Sequence, residues 1–231
     1  MKKLKYKLNI IVFVASTFLV VVGCDLDLQE EWQYEPEPLG NIPTGLTAYE
    51  WIQGINQDTT FNPTDSTSEF SFLLEAIDRT GMREEFDDLN DQRTFFLLRN
   101  AAWTGGGQIL QDVAGSPDFP LDSIDTETLT AILNYHIIPD EVLDQGPSIP
   151  KTDFHFYYQT MIPGDTGVIE INKRLWDFTL RINTSIDRIG LSDIPSNMPS
   201  TSEGAIVALH NYQFLNGVGH QLNAYVRYQP F

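Results

Sequence analysis

The stretch from Thr126 to Pro139, TETLTAILNYHIIP, changes its period midway, and this constrains the fold more than any other feature. Leu129, Ile132 and Leu133 recur at helical spacing, so one face of a helix is apolar. At Tyr135-His136 the pattern passes to the β-branched pair Ile137-Ile138, and Pro139 ends it. The spacing predicts a helix, capped by Asp125 or Thr126, running straight into a short buried strand. The rest of the chain is expected to fold around this junction.

Upstream, Thr47 can cap a helix that carries Tyr49, Ile52 and Ile55 inward. Ser66, Thr67 or Ser68 can cap a second helix, in which Phe70, Leu73, Leu74 and Ile77 form one apolar stripe. Gly81 stands where a helix C-terminus takes a left-handed residue. Arg93 to Leu98 reads as a strand, Asn100 to Trp103 as a helical segment, and Gly105-Gly106-Gly107 as a loop. After Pro139 the pattern is mostly strand, over 154–162, 167–172, 178–186, 205–215 and 218–228. Pro163-Gly164-Asp165 and Asn216-Gly217 supply turns, the latter a strong hairpin signal. Helices in the first half and strands in the second predict an α+β domain with an antiparallel sheet, not a βαβ repeat.

The first 23 residues stand apart. Lys2, Lys3, Lys5 and Lys7 precede an apolar run from Ile10 to Val22, interrupted only at Ala15-Ser16-Thr17. A membrane-spanning helix needs roughly 20 apolar residues, so this shorter run fits the core of an export signal. It ends in Val21-Val22-Gly23-Cys24, which resembles a bacterial lipobox. The resemblance implies cleavage before Cys24, which then carries a thioether-linked lipid and an acylated amine. A thioether cannot form a disulfide, so a lone cysteine is harmless in an oxidising compartment. Two or more acyl chains anchor stably, at roughly 0.8 kcal/mol per buried methylene.

Asp25 to Thr44 contains six acids, three prolines and no base, the composition of an extended, solvated, disordered tether. The expected organisation is a signal peptide over 1–23, a tether over 24–46 and one domain over 47–231. An acidic run after a lipidated cysteine resembles the export signals of some outer-surface lipoproteins of Gram-negative bacteria. Asp25 directly after Cys24 resembles an inner-membrane retention signal in other bacteria, and the two readings compete. The length of the acidic run favours the outer membrane, facing the cell surface. Cleavage would remove four of the 14 basic residues and none of the 32 acids, taking the formal net charge from −18 to −22. Such a field repels phosphate backbones and anionic membranes, which excludes nucleic acid as a ligand.

Three separated segments resemble the motif boxes of the fasciclin domain, found in cell-surface adhesion and secreted proteins. Thr94-Phe95-Phe96-Leu97-Leu98-Arg99-Asn100-Ala101-Ala102-Trp103 resembles the first box, Tyr135-His136-Ile137-Ile138-Pro139 the central Tyr-His-x-x-Pro, and Asn216-Gly217-Val218-Gly219-His220 the last. Leu97-Leu98 stand where Ala-Pro is usual, Trp103 where Phe is usual, and Gly219 where Val or Ile is usual. The resemblance implies a wedge-shaped β-sandwich with flanking helices, extracellular display, and binding rather than catalysis. It also implies a role for Tyr135 and His136 in adhesion. The residues alone favour a buried imidazole donating to a backbone carbonyl at the helix–strand junction.

No catalytic residue, metal site or cofactor is expected. Among His136, His155, His210 and His220 no pair has the i, i+4 spacing of a helical zinc site. No serine sits in a Gly-x-Ser-x-Gly elbow, and no spacing marks a carboxylate pair. The acids Glu84, Glu85, Asp87, Asp88 and Asp91 lack the glycine and terminal glutamate of a calcium loop and read as a solvated helix face. Phe154, Phe156, Tyr157, Tyr158 and Trp176 form a candidate glycan platform. Phe154, Phe156 and Tyr158 share one strand face, opposite His155 and Tyr157, and one of these faces can equally be core. The expected function is a lipid-anchored surface lipoprotein acting in adhesion or protein binding. The alternative is a glycan-binding accessory lipoprotein of an outer-membrane polysaccharide-uptake system.

Overall fold

The computed structural model describes residues 42–57, 70–144, 149, 155–174, 179–184 and 202–231. A two-residue strand, β1 (Ile42–Pro43), comes first. Helix α1 (Ala48–Gln57) then opens on a reciprocal cap. Glu50 N donates to Thr47 Oγ1 at 3.2 Å, and Thr47 N donates to Glu50 Oε2 at 3.0 Å. Helix α2 (Ser71–Thr80) ends at Gly81, whose φ of 70° lets its N–H return to the last turn. A five-residue α3 (Arg83–Asp87) follows, then strand β2 (Arg93–Leu98), the single turn α4 (Asn100–Trp103) and α5 (Thr126–Tyr135). Asp125 caps α5 by accepting from Thr128 N at 2.8 Å. The chain passes at once into β3 (Ile137–Ile138), the junction that the change of period predicts.

The second half supplies β4 (Phe156–Gln159), β5 (Val168–Lys173), β6 (Leu180–Ile182), β7 (Ala205–Phe214) and β8 (Gly217–Leu222). The sheet runs β3-β2-β8-β7-β6-β5-β4. The first two residues of β7, Ala205 and Ile206, pair with β6, and the strand pairs with β8 from Val207 onward through two register shifts. The result is an α+β domain, as expected, but the sheet is mixed. Strand β2 lies parallel to β8, with Thr94 opposite Val218 and Phe96 opposite His220. Both strands are buried at every position, as strands covered on both faces are.

The tether boundary also shifts. Strand β1 lies parallel to β7 at Tyr212 and Gln213. Thr44 donates to Gln213 O through its N–H at 2.9 Å and its hydroxyl at 2.8 Å. Residues 42–46, expected in the tether, are therefore part of the domain, and 24–41 lie outside the described residues. A strand of one isoleucine and one proline carries no readable period. At the other end, β8 stops at Leu222 rather than running to Tyr228. The chain turns there, and among the described residues its next β-pairing is the isolated bridge Glu203–Arg227.

Candidate functional site

The three motif boxes come together as neighbouring strands. Thr94 and Phe95 pair antiparallel with Ile138 and Ile137, and β2 pairs along its whole length with β8. Segments far apart in the chain thus form one continuous strip of sheet.

Several polar side chains of this strip and of the junction before it turn inward onto backbone groups. His136 Nδ1–H donates to Ile132 O at 2.7 Å, and Nε2 accepts from Val226 N at 3.2 Å. One neutral tautomer satisfies both, and full burial pulls the pKa down to about 4. Tyr135 donates its hydroxyl to Val168 O at 2.7 Å and accepts from Asn183 Nδ2 at 2.9 Å. Burial raises its pKa well above the usual phenol range. His220 donates from Nε2 to Leu143 O at 2.8 Å and, like His136, is pushed down to about 4 by desolvation. Thr94 Oγ1 donates to Glu141 O and accepts from Leu143 N, so Thr94 and His220 together stitch down the segment after β3.

Two asparagines act between elements. Asn216 accepts from Ala48 N at 3.0 Å, which caps α1, and donates to Phe86 O at 2.9 Å. Asn100 accepts from Phe72 N and from Ser71 Oγ, each at 3.3 Å, which caps α2 from outside. Ser66, Thr67 and Ser68, the caps expected from the sequence, lie outside the described residues. Helix α2 starts at Ser71, and Phe70 before it has no capping side chain.

Tyr135 and His136 are 1% and 3% exposed. A partner cannot touch their side chains without opening the domain, so they can serve an interface only by holding its frame in place. The candidate glycan platform is divided. Phe156 and Tyr158 lie opposite Ile171 and Ile169, and Tyr158 packs on the core. Tyr157 lies on the other face, opposite Glu170. All three are half-buried, and the period-2 alternation of a strand prevents them from forming one surface. Phe154, Trp176 and Cys24 lie outside the described residues.

Other clusters are similarly committed. His155 Nδ1 meets the fully buried Glu170 carboxylate. Asp112 binds both the Tyr225 hydroxyl and Arg227. An open groove of about 500 Å³ beside α2 is lined by Asn56, Ser71, Leu74, Glu75, Asp78 and Arg79. In it Arg79 donates to Leu121 O and Ile124 O, and Asp78 accepts from Tyr49. Among the described residues no group of three or more His, Cys, Asp or Glu side chains could hold a metal ion. Sequence reasoning missed Asn100, Asn183 and Asn216 as polar hubs. The first and last lie within the motif boxes, which is the one signal that could have found them.

The three motif boxes thus build the centre of a mixed sheet and spend several of their polar side chains on its own backbone. A sequence model of the fasciclin domain matches residues 68–224, about two-thirds of the chain, and the protein belongs to this family. The fold is similar to that of a FAS1 domain pair from the insect cell adhesion molecule fasciclin I, at 12% identity and a TM-score of 0.48. That match covers 78% of this chain and 50% of the domain pair, so the protein spans about half the length of that structure. A search of curated proteins finds no match.

Proposed function

We propose that this protein is a lipid-anchored, non-enzymatic lipoprotein of the bacterial cell surface, whose fasciclin domain acts in adhesion or protein binding. The family match over residues 68–224 carries the reading, since fasciclin domains occur in cell adhesion proteins. The inward commitment of Thr94, Tyr135, His136, Asn216 and His220 agrees with it, because these side chains build a frame rather than a reaction centre. Anchoring is supported by the sequence Val21-Val22-Gly23-Cys24, and surface display by the acidic run that follows.

Protease added to intact cells tests the placement, with lysed cells and a Cys24→Ala strain as controls. Digestion on intact cells, and release of the Cys24→Ala protein from the membrane fraction, are expected. Protection until lysis would move the domain inside the envelope and end the adhesion reading. Attachment of expressing and deleted cells to protein-coated surfaces then tests adhesion itself. Attachment abolished by free oligosaccharide would replace protein binding with glycan capture.

A further inference from the structure

Leu46, Leu89 and Leu215 are 38%, 59% and 52% exposed, and hydrogen bonds join the segments that carry them. Leu215 N donates to Leu46 O at 2.9 Å. Gln92, three residues after Leu89, donates from its side-chain amide to Leu215 O at 3.1 Å. Thr47 donates its hydroxyl to Asp87, two residues before Leu89, at 2.6 Å. Segments 46–47, 87–92 and 215 therefore close a ring of contacts, with a leucine projecting from each. Leu89 and Leu215 occupy turns, where a polar residue would serve the backbone better.

The surroundings are acidic. Glu50, Glu84, Glu85, Asp87, Asp88 and Asp91 lie on these segments and on the adjoining first turn of α1 and α3. Arg83 pairs with Asp87, and Arg93 with Glu85 and Asp91, so two cations face six acids. The Asn90 backbone and side-chain amides hold the Asp88 carboxyl below its ordinary range, so it stays charged.

We propose that the surface carried by these joined segments docks a basic amphipathic protein segment, with its apolar side chains on the three leucines and its Lys or Arg on the acidic rim. The proposal rests on the protein-binding reading above. Charge selects the occupant: a second copy brings the same acids, and an anionic lipid surface is repelled. Three leucines about half exposed present on the order of 250 Å² of apolar surface. A standard interface takes roughly 800 Å² per partner, so the site fits one short segment rather than a domain face.

The test uses the full chain in detergent and two synthetic 14-residue helices of equal positive charge, one patterned with Leu and Lys, the other with Ser and Lys. Each carries a fluorophore and a photo-crosslinker. The Leu/Lys helix is expected to bind at least tenfold more tightly, to weaken between 50 and 300 mM salt, and to crosslink around residues 46, 89 and 215. The double variant Leu89→Ser/Leu215→Ser should erase the tenfold preference with its thermal midpoint unchanged. If that midpoint falls, Leu89→Ser alone, in its exposed turn, decides. Equal binding of both helices, or crosslinks elsewhere on the acidic surface, would overturn the proposal. So would copy-to-copy crosslinks through the patch, or leucine-dependent partition onto zwitterionic vesicles. Cell attachment that needs the protein but survives the double variant would keep the adhesion reading and reject this site.

Discussion

Asn216 holds three backbone groups from one buried position. Its side chain caps α1 and binds Phe86 O, while its carbonyl accepts from Arg93 N at 3.1 Å. Asn216→Ala would leave Ala48 N and Phe86 O unpaired in the interior, at a cost of about 3 kcal/mol. Urea denaturation at neutral pH should show the lowered midpoint, and an unchanged midpoint would contradict the role. The next residue cannot be replaced either, because a Cβ on Gly217 would stand 1.9 Å from Arg93 O. Gly219 is a different case. It departs from the Val or Ile usual in the last box, and the Phe214 ring fills the space. A Cβ at 219 would approach that ring to 2.4 Å. Phe214 is itself held by Trp51 and Phe95, at ring separations of 5.5 and 6.2 Å. Restoring the family residue with Gly219→Val should therefore destabilise by about 2 kcal/mol. Phe214→Leu in the same chain should return part of that loss. If Gly219→Val alone is neutral or stabilising, the exchange between ring and side chain is not what fixes this site.

At the scale of elements, the caps decide where helices begin. Helix α2 takes its cap from Asn100, the first residue of α4, so the start of one helix depends on a turn that follows the next strand. Asn100→Ala should cost about 1 kcal/mol and speed hydrogen exchange at the Phe72 amide, leaving Leu133 in α5 protected. Equal loosening of both helices would mean a global effect instead of a lost cap. This trans cap shows what the sequence could not convey. Local signals were readable where the physics is local: the cap at Thr47, Gly81, a cap at Asp125 or Thr126, the Asn216-Gly217 turn and the junction at His136. The start of α2 was not readable, because its partner lies 28 residues downstream. Nor was the parallel pairing of β2 with β8. The continuous apolar run Phe95–Leu98 marks a strand covered on both faces, but which strand lies beside it is settled by packing. In β4, alternation correctly separates Tyr157 from Phe156 and Tyr158. It does not say which face meets the core, and that turned on Ile169 and Ile171, which lie beyond the next turn.

Across the whole molecule, the buried histidines tie stability to pH. His136 and His220 are fully buried, and both are pushed down to about 4 from an ordinary value near 6.5. The unfolded chain therefore binds protons at these sites before the folded one does. Their contribution is fully present above about pH 6.5 and is lost as pH falls toward 4, where the folded rings also protonate. A tenfold difference in proton affinity between the two states is worth about 1.4 kcal/mol, so each ring accounts for roughly 3 kcal/mol over that window. Two such groups are comparable to the roughly 5–15 kcal/mol that holds a typical domain together. Self-repulsion among 32 acids acts in the opposite direction, because acidification relieves it, but most of that relief comes near pH 4, where carboxylates titrate. The urea midpoint should therefore drop steeply between about pH 6.5 and pH 4.5. In a His220→Gln variant the side-chain amide can still donate to Leu143 O but cannot titrate, so the slope should fall by about half. A midpoint that is flat or rising toward acid would show that the rings charge without unfolding the domain, and that neither imidazole is held neutral by its surroundings.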